Sequence, residues 1–127
     1  MAYTYDPQNI FAKILRGEIP NNTVLETEHA LAFNDINPQA PTHALVIPKG
    51  ASVNYDDFVT RASEAEIVDF FRAVAEVAGK TGVAEPAGGS GYRLFANAGA
   101  HSHQEVPHFH MHVCGGRPLG PLLAKGA

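Results

Sequence analysis

The 127-residue sequence contains one cysteine, Cys114, so no intrachain disulfide can staple it. Cys114 follows Val113 in a strand-like stretch and reads as a small core side chain. No apolar run approaches the length of a membrane span, which argues against a membrane partner. There is no block of lysine and arginine to suggest nucleic-acid binding, and no acidic tail to suggest disorder. The opening residues, MAYTYDPQ, carry neither a basic region nor an apolar stretch, so no secretory signal is expected. These deficits favour a cytoplasmic protein. No repeat or linker divides the chain, and its length fits one domain, 1–127. Apolar residues make up 45%, enough for an ordinary core.

Local patterns order the elements. Asp6-Pro7 reads as a helix start, with Ile10, Phe11, Ile14 and Leu15 at helical spacing and Gly17 as a stop. Extended segments follow around 23–26 and 30–35, then a turn-rich connection through Asn37-Pro38 and Ala40-Pro41. Residues 43–48 form a strand pattern apolar on both faces. After a loop, Ser63 and Glu66 make a capping box for the longest helix, with Ile67, Phe71, Val74 and Ala78 as its expected buried stripe. Residues 91–97 and 106–114 read as two further strands, and 118–127 as an irregular tail. This order predicts an α+β fold with a mostly antiparallel sheet.

The stretch VPHFHMHVCGG, 106–116, poses the functional question. In a strand, residues two apart share a face, so His108, His110 and His112 point one way and Phe109, Met111 and Val113 the other. An unsatisfied buried ring nitrogen costs about 1–3 kcal/mol, so burying three without purpose is expensive. One reading is a set of exposed histidines on an edge strand. A second is a zinc or copper site, with Glu105 as a fourth ligand. A third is catalytic, with one imidazole as nucleophile and its neighbours handling protons. Asn97 and Gln104 are neutral donors suited to an anion such as phosphate. The loop 99–104 adds backbone N–H groups, with His101 and His103 near the mouth of the site.

Gln104-x-x-x-His108-x-His110-x-His112, followed by an apolar residue, resembles the signature of the histidine-triad (HIT) nucleotide-binding hydrolases and transferases. NIFAKILRGEIP, 9–20, resembles the family's first helix and its exit. LAFNDINPQAPTHALVIPK, 31–49, resembles its nucleoside-binding strand pair, and Asn97 falls at the matching distance before Gln104. The resemblance spans about 9–117 and is nearest to the phosphoramidase-like, nucleotide-binding branch. It implies a five-stranded antiparallel sheet with two helices, joined across a homodimer into ten strands, and no cofactor. It implies attack by His110 on a nucleotide α-phosphorus, giving a nucleotidyl-histidine that water cleaves. His112 then resembles the residue that bonds the phosphate and assists proton transfer. His108 and His43 resemble supporting histidines, and Asp35 the carboxylate that accepts from the ribose hydroxyls. Ile10, Phe11, Ile14, Phe33 and Ile36 resemble the walls of the base pocket, and Asn97, Gln104 and Glu105 lie at the phosphate end.

Three departures stand out. Glu105 replaces a hydroxyl residue common in that branch, and the less demanding reading turns its side chain aside and leaves the backbone N–H to meet substrate. Asn9 and Ala12 stand where some members have zinc-binding cysteines, so no structural metal is expected. The tail from Leu119 lacks the Trp that some members extend into the partner's site. The expected substrates are purine nucleoside 5'-phosphoramidates or related AMP or GMP derivatives. The alternatives are hydrolysis of dinucleoside polyphosphates and a nucleotide-binding regulatory module with vestigial catalysis. Base preference and leaving group stay open at this point.

Overall fold

The computed structural model describes residues 3–123, so the last four residues of the expected irregular tail lie outside the described residues. The chain runs α1 (Ile10–Leu15), β1 (Thr23–Glu26), β2 (Ala30–Asn34), β3 (Thr42–Pro48), α2 (Tyr55–Arg61), α3 (Glu64–Lys80), β4 (Tyr92–Phe95) and β5 (Met111–Gly115). The strands form one five-stranded sheet in the order β1-β2-β3-β5-β4, with every neighbouring pair antiparallel. Among the described residues no helix is long and apolar enough to cross a membrane.

Strand alternation sorts the side chains between two layers. Ala30, Ala32, Ala44, Val46 and Val113 face α3, where Phe70, Val74, Val77 and Ala78 pack against them. Phe58, Phe70 and Phe109 fill the space these small residues leave, with ring centroids 5.1 Å apart in each pair. Each such buried ring contributes about 1.5–3 kcal/mol. Leu31, Phe33, Leu45 and Ile47 face the other way and pack under Phe11 and Ile14 of α1. Residues 43–48 of β3 and 113–115 of β5 are thus buried within the chain itself.

Several boundaries differ from the sequence reading. Asn9 caps α1 through its Oδ1, which accepts from Ala12 N–H at 3.0 Å, while Asp6 closes its own turn by accepting from Gln8 N–H. Helix α2 occupies what reads as a loop; it is too short for a periodic signal and is set by its cap, Asn54. The Ser63–Glu66 capping box is present. The buried stripe of α3, however, runs through Phe70, Ala73, Val74, Val77 and Ala78, and Phe71 is 39% exposed. The alanine-rich sheet face accepts Phe70 and leaves Phe71 outside.

The ladder of β5 starts at Met111, five residues later than expected. Pro107 has no N–H to give, and Phe109 N–H donates to Ser52 O at 2.8 Å instead of to a strand. At the other end, a Cβ on Gly115 would lie 2.8 Å from Val83 Cγ1, and Gly116 has φ +94°. The two closing glycines are therefore steric requirements of the turn.

Candidate active site

The three histidines at 108, 110 and 112 do lie on the α1 side, but each ring is held by a different partner. Hydrogen-bond chemistry assigns their protons. A carbonyl only accepts, so His108 Nε2–H donates to Pro48 O at 2.8 Å. The other nitrogen of this neutral ring must accept, and Tyr5 O–H donates to His108 Nδ1 at 2.7 Å. His110 Nδ1–H donates to His108 O at 2.7 Å, which leaves the lone pair on Nε2. Gln39 N–H donates to His43 Nδ1 at 3.0 Å, so the proton of His43 is on Nε2. That Nε2–H reaches His112 Nδ1 at 2.9 Å, so the proton of His112 is on its own Nε2. His112 Nε2 is buried and has no hydrogen-bond partner among the described residues.

These assignments require neutral rings, and burial supplies them. His108 is fully buried, and burial pushes it down to about 4 against its backbone bond to Pro48, with His110 adding to the shift. Burial, with His110 and His43 nearby, pushes His112 down to about 3. His110 is lowered by burial, opposed by its bond to His108 and by the Asp35 and Glu105 carboxylates. His43 is lowered by burial, opposed by Asp35. Asp35 Oδ2 lies 3.4 Å from His43 Nε2, but with the ring neutral this is not an ion pair. Phe95 stacks on His112 at 4.4 Å and 8°, and Phe11 meets His110 edge-on at 5.0 Å.

The donor set does not suit a metal. Both nitrogens of His108 are engaged, and the Glu105 carboxylate instead meets His103 Nε2 at 2.9 Å, out in solvent. Asp35, His43 and His112 do place ligand atoms within 4.8 Å of one another. Yet Gln39 N–H occupies the Nδ1 lone pair of His43, so the atom facing that cluster carries a proton and not a lone pair.

The remaining expected residues separate into groups. Phe11, Ile14 and Phe33 are buried in the α1-side core, while Ile10 is 42% and Ile36 86% exposed. Asp35 Oδ1 accepts from Asn37 N–H at 2.9 Å. Asn97 is half-buried just past β4. Gln104, read in sequence as a free donor for an anion, uses its amide to brace the loop: Nε2 donates to Val53 O at 2.7 Å and Val106 O at 3.0 Å, and Oε1 accepts from Gly99 N–H. Glu105 turns aside, and His101 and His103 are exposed. A surface cavity of about 850 Å³ lies at the Gly116 end of β5, among Val83, Ser90, Arg93 and Arg117, and contains none of the imidazoles. Tyr5, Phe95 and the Gln39 N–H are the contacts that sequence reasoning missed.

This fold and imidazole cluster define a histidine-triad protein, and the chain belongs to the HIT family: the HIT domain model matches residues 16–119. The chain is 66% identical over 126 residues to an uncharacterized 13.2 kDa HIT-like protein of Azospirillum brasilense, covering 99% of this chain and 100% of that one. It is 44% identical over 117 residues to purine nucleoside phosphoramidase of Escherichia coli K12, covering 92% and 94%. A HIT family hydrolase from Clostridium thermocellum superposes with a TM-score of 0.77 at 37% identity, covering 92% of this chain and 97% of that one.

The lowered imidazoles give stability a pH dependence with a definite sign. Below their ordinary value of 6.5 the unfolded chain takes up protons that the folded protein refuses. Stability present above 6.5 is therefore lost as pH falls, until it passes about 4 for His108 and about 3 for His112. The urea midpoint should fall steadily from pH 7 to pH 4, and His108→Gln, which keeps a donor for Pro48 O, should flatten that fall. A His108 ring that titrates near 6.5 by NMR would contradict the assignment.

Proposed function

We propose that this protein hydrolyses purine nucleoside 5'-phosphoramidates or related nucleoside monophosphate derivatives through a covalent nucleotidyl-His110. The observation that carries this reading is the pairing of one free lone pair with one unpartnered donor on adjacent rings. His110 Nε2 carries the free lone pair, and His112 Nε2–H is a buried donor with no acceptor among the described residues; their ring centroids are 5.1 Å apart. A phosphoryl group between them satisfies both. The lone pair of His110 attacks phosphorus as the P–N bond breaks, and the departing amine takes its proton from solvent and leaves as the free amine. The N–H of His112 meets the phosphoryl oxygen on which charge accumulates. Water then displaces the nucleotide and restores His110.

The nucleoside would lie along Ile10 and Ile36, over Phe11, Ile14 and Phe33, with its ribose hydroxyls donating to Asp35. The E. coli relative named a purine nucleoside phosphoramidase supports the substrate class. Gln104 acts by bracing the loop. Glu105 contributes its backbone N–H, which donates to no other group among the described residues. A homodimer joined along β4 fits the proposal: this edge strand leaves Tyr92 and Leu94 about two-fifths exposed.

A panel of substrates with one nucleoside and varied leaving groups tests the reading. Phosphoramidates should be turned over fastest. Preference for a diadenosine polyphosphate would transfer the activity to that class, and tight purine nucleotide binding without turnover would make the protein a regulatory module. Because its carboxylate faces solvent, Glu105→Ala should change phosphoramidate turnover by less than about tenfold, or about 1.4 kcal/mol. A loss of several hundredfold with the fold intact would make Glu105 catalytic.

A further inference from the structure

The arm that precedes α1 has neither helix nor strand, yet its side chains are pinned to the body. Tyr3 O–H donates to Asp56 at the start of α2, and Arg16 of the α1 cap donates to Pro7 O. Between these ties lies Tyr5, half-buried, with its ring edge-on to His108 at 5.6 Å. Its hydroxyl reaches a residue 103 positions away. We infer that Tyr5 is a positioning residue of this site: by donating to His108 Nδ1, its hydroxyl adds to burial in stabilising the neutral form of that ring beside the reacting His110, and so couples the arm to the site.

The His108 ring meets Tyr5 from the arm, Phe11 edge-on from α1 at 6.4 Å, the Pro48 carbonyl from β3, and His110 on its own segment. Of these, only Tyr5 and His110 are titratable. Without the Tyr5 hydroxyl, Nδ1 is a buried lone pair with no partner, so the neutral ring loses a stabilising bond and protonation becomes less unfavourable, with burial still opposing the charge. A proton there would place a cation next to His110. His110 itself becomes cationic when its Nε2 bonds to phosphorus, so a second charge alongside opposes the step. Removing the hydroxyl should therefore act on the reaction through the protonation of His108, without touching substrate. This inference rests on His110 as the attacking residue, but the protonation of His108 can be measured without turnover.

The test is Tyr5→Phe, which keeps the ring and deletes the donor, with Tyr3→Phe as the control for arm docking. Long-range ¹H–¹⁵N NMR of the imidazoles reads His108 directly, in parallel with the pH profile of kcat. In the wild type, His108 should carry its proton on Nε2 throughout the range from pH 5 to 8. In Tyr5→Phe its titration should move up by about one unit, and the acid limb of kcat should follow, a loss of about tenfold on its steep part. KM should change little, and Tyr3→Phe should leave the His108 titration in place. A Tyr5→Phe protein whose His108 titration is unchanged overturns the inference whatever its turnover. So does an equal shift in Tyr3→Phe, which would assign the effect to docking of the arm. Absence of turnover in the wild type would remove the proposed activity, while the His108 titration would still decide the role of Tyr5.

Discussion

The bond from His110 Nδ1–H to the carbonyl of His108 decides what the rest of the site can do. It places the lone pair of His110 on Nε2 and fixes the plane of the ring. The carbonyl is available because residues 106–110 do not run in the ladder: Phe109 N–H is taken by Ser52, and Gln104 ties the same segment to Val53. A regular strand through His108 would have drawn that carbonyl toward a neighbouring strand. The segment around Ser52 and Val53 is held in turn by α2, where Asp57 accepts from Val53 N–H at 2.7 Å. A short helix with no visible link to the chemistry thus sets the orientation of the central imidazole.

The sheet supplies the second condition. Its α3 face carries a dense aromatic and alanine core, while its α1 face holds the imidazoles among Phe11, Phe33 and Leu45. Burial there disfavours protonation, which keeps lone pairs available at the pH where a free histidine is already partly charged. Hydrogen bonds then decide which nitrogen carries each proton. Gln39, Pro48, His108 O and Tyr5 each satisfy one nitrogen, and the chain of donors ends at His112 Nε2–H, which has no acceptor among the described residues. Leaving that donor buried costs about 1–3 kcal/mol unless something occupies it. In the proposed reaction a phosphoryl oxygen fills that place.

Much of this was legible in the residues. A period of two assigns three imidazoles to one face before any coordinates exist, and the Ser63–Glu66 cap, the order of the strands and the placement of Asp35 follow from short-range patterns. The turned-aside Glu105 matches the less demanding of its readings. What was not legible depends on long-range pairing. Phe95 stacks on His112 only because the β4–β5 register sets them opposite, and a strand pattern by itself carries no register. Tyr5 sits in an arm without periodicity, and its partner is 103 residues away. Gln104 reads as a free donor because its acceptors, Val53 O and Val106 O, are backbone atoms of a loop whose path depends on the whole fold. Phe70 and Phe71 cannot be told apart until the shape of the sheet face is known.

The central claim is that His110 Nε2, with its lone pair exposed by the His108 carbonyl, forms a bond to phosphorus. Rapid acid-free quenching of the protein with a purine nucleoside phosphoramidate, followed by peptide mass spectrometry, tests it most directly. The account predicts a nucleotidyl adduct on the peptide containing residues 108–112, with fragmentation placing it on His110 and its loss in His110→Ala. An adduct on His108 or His112 in the intact protein would contradict the proton assignments on which the whole site has been built.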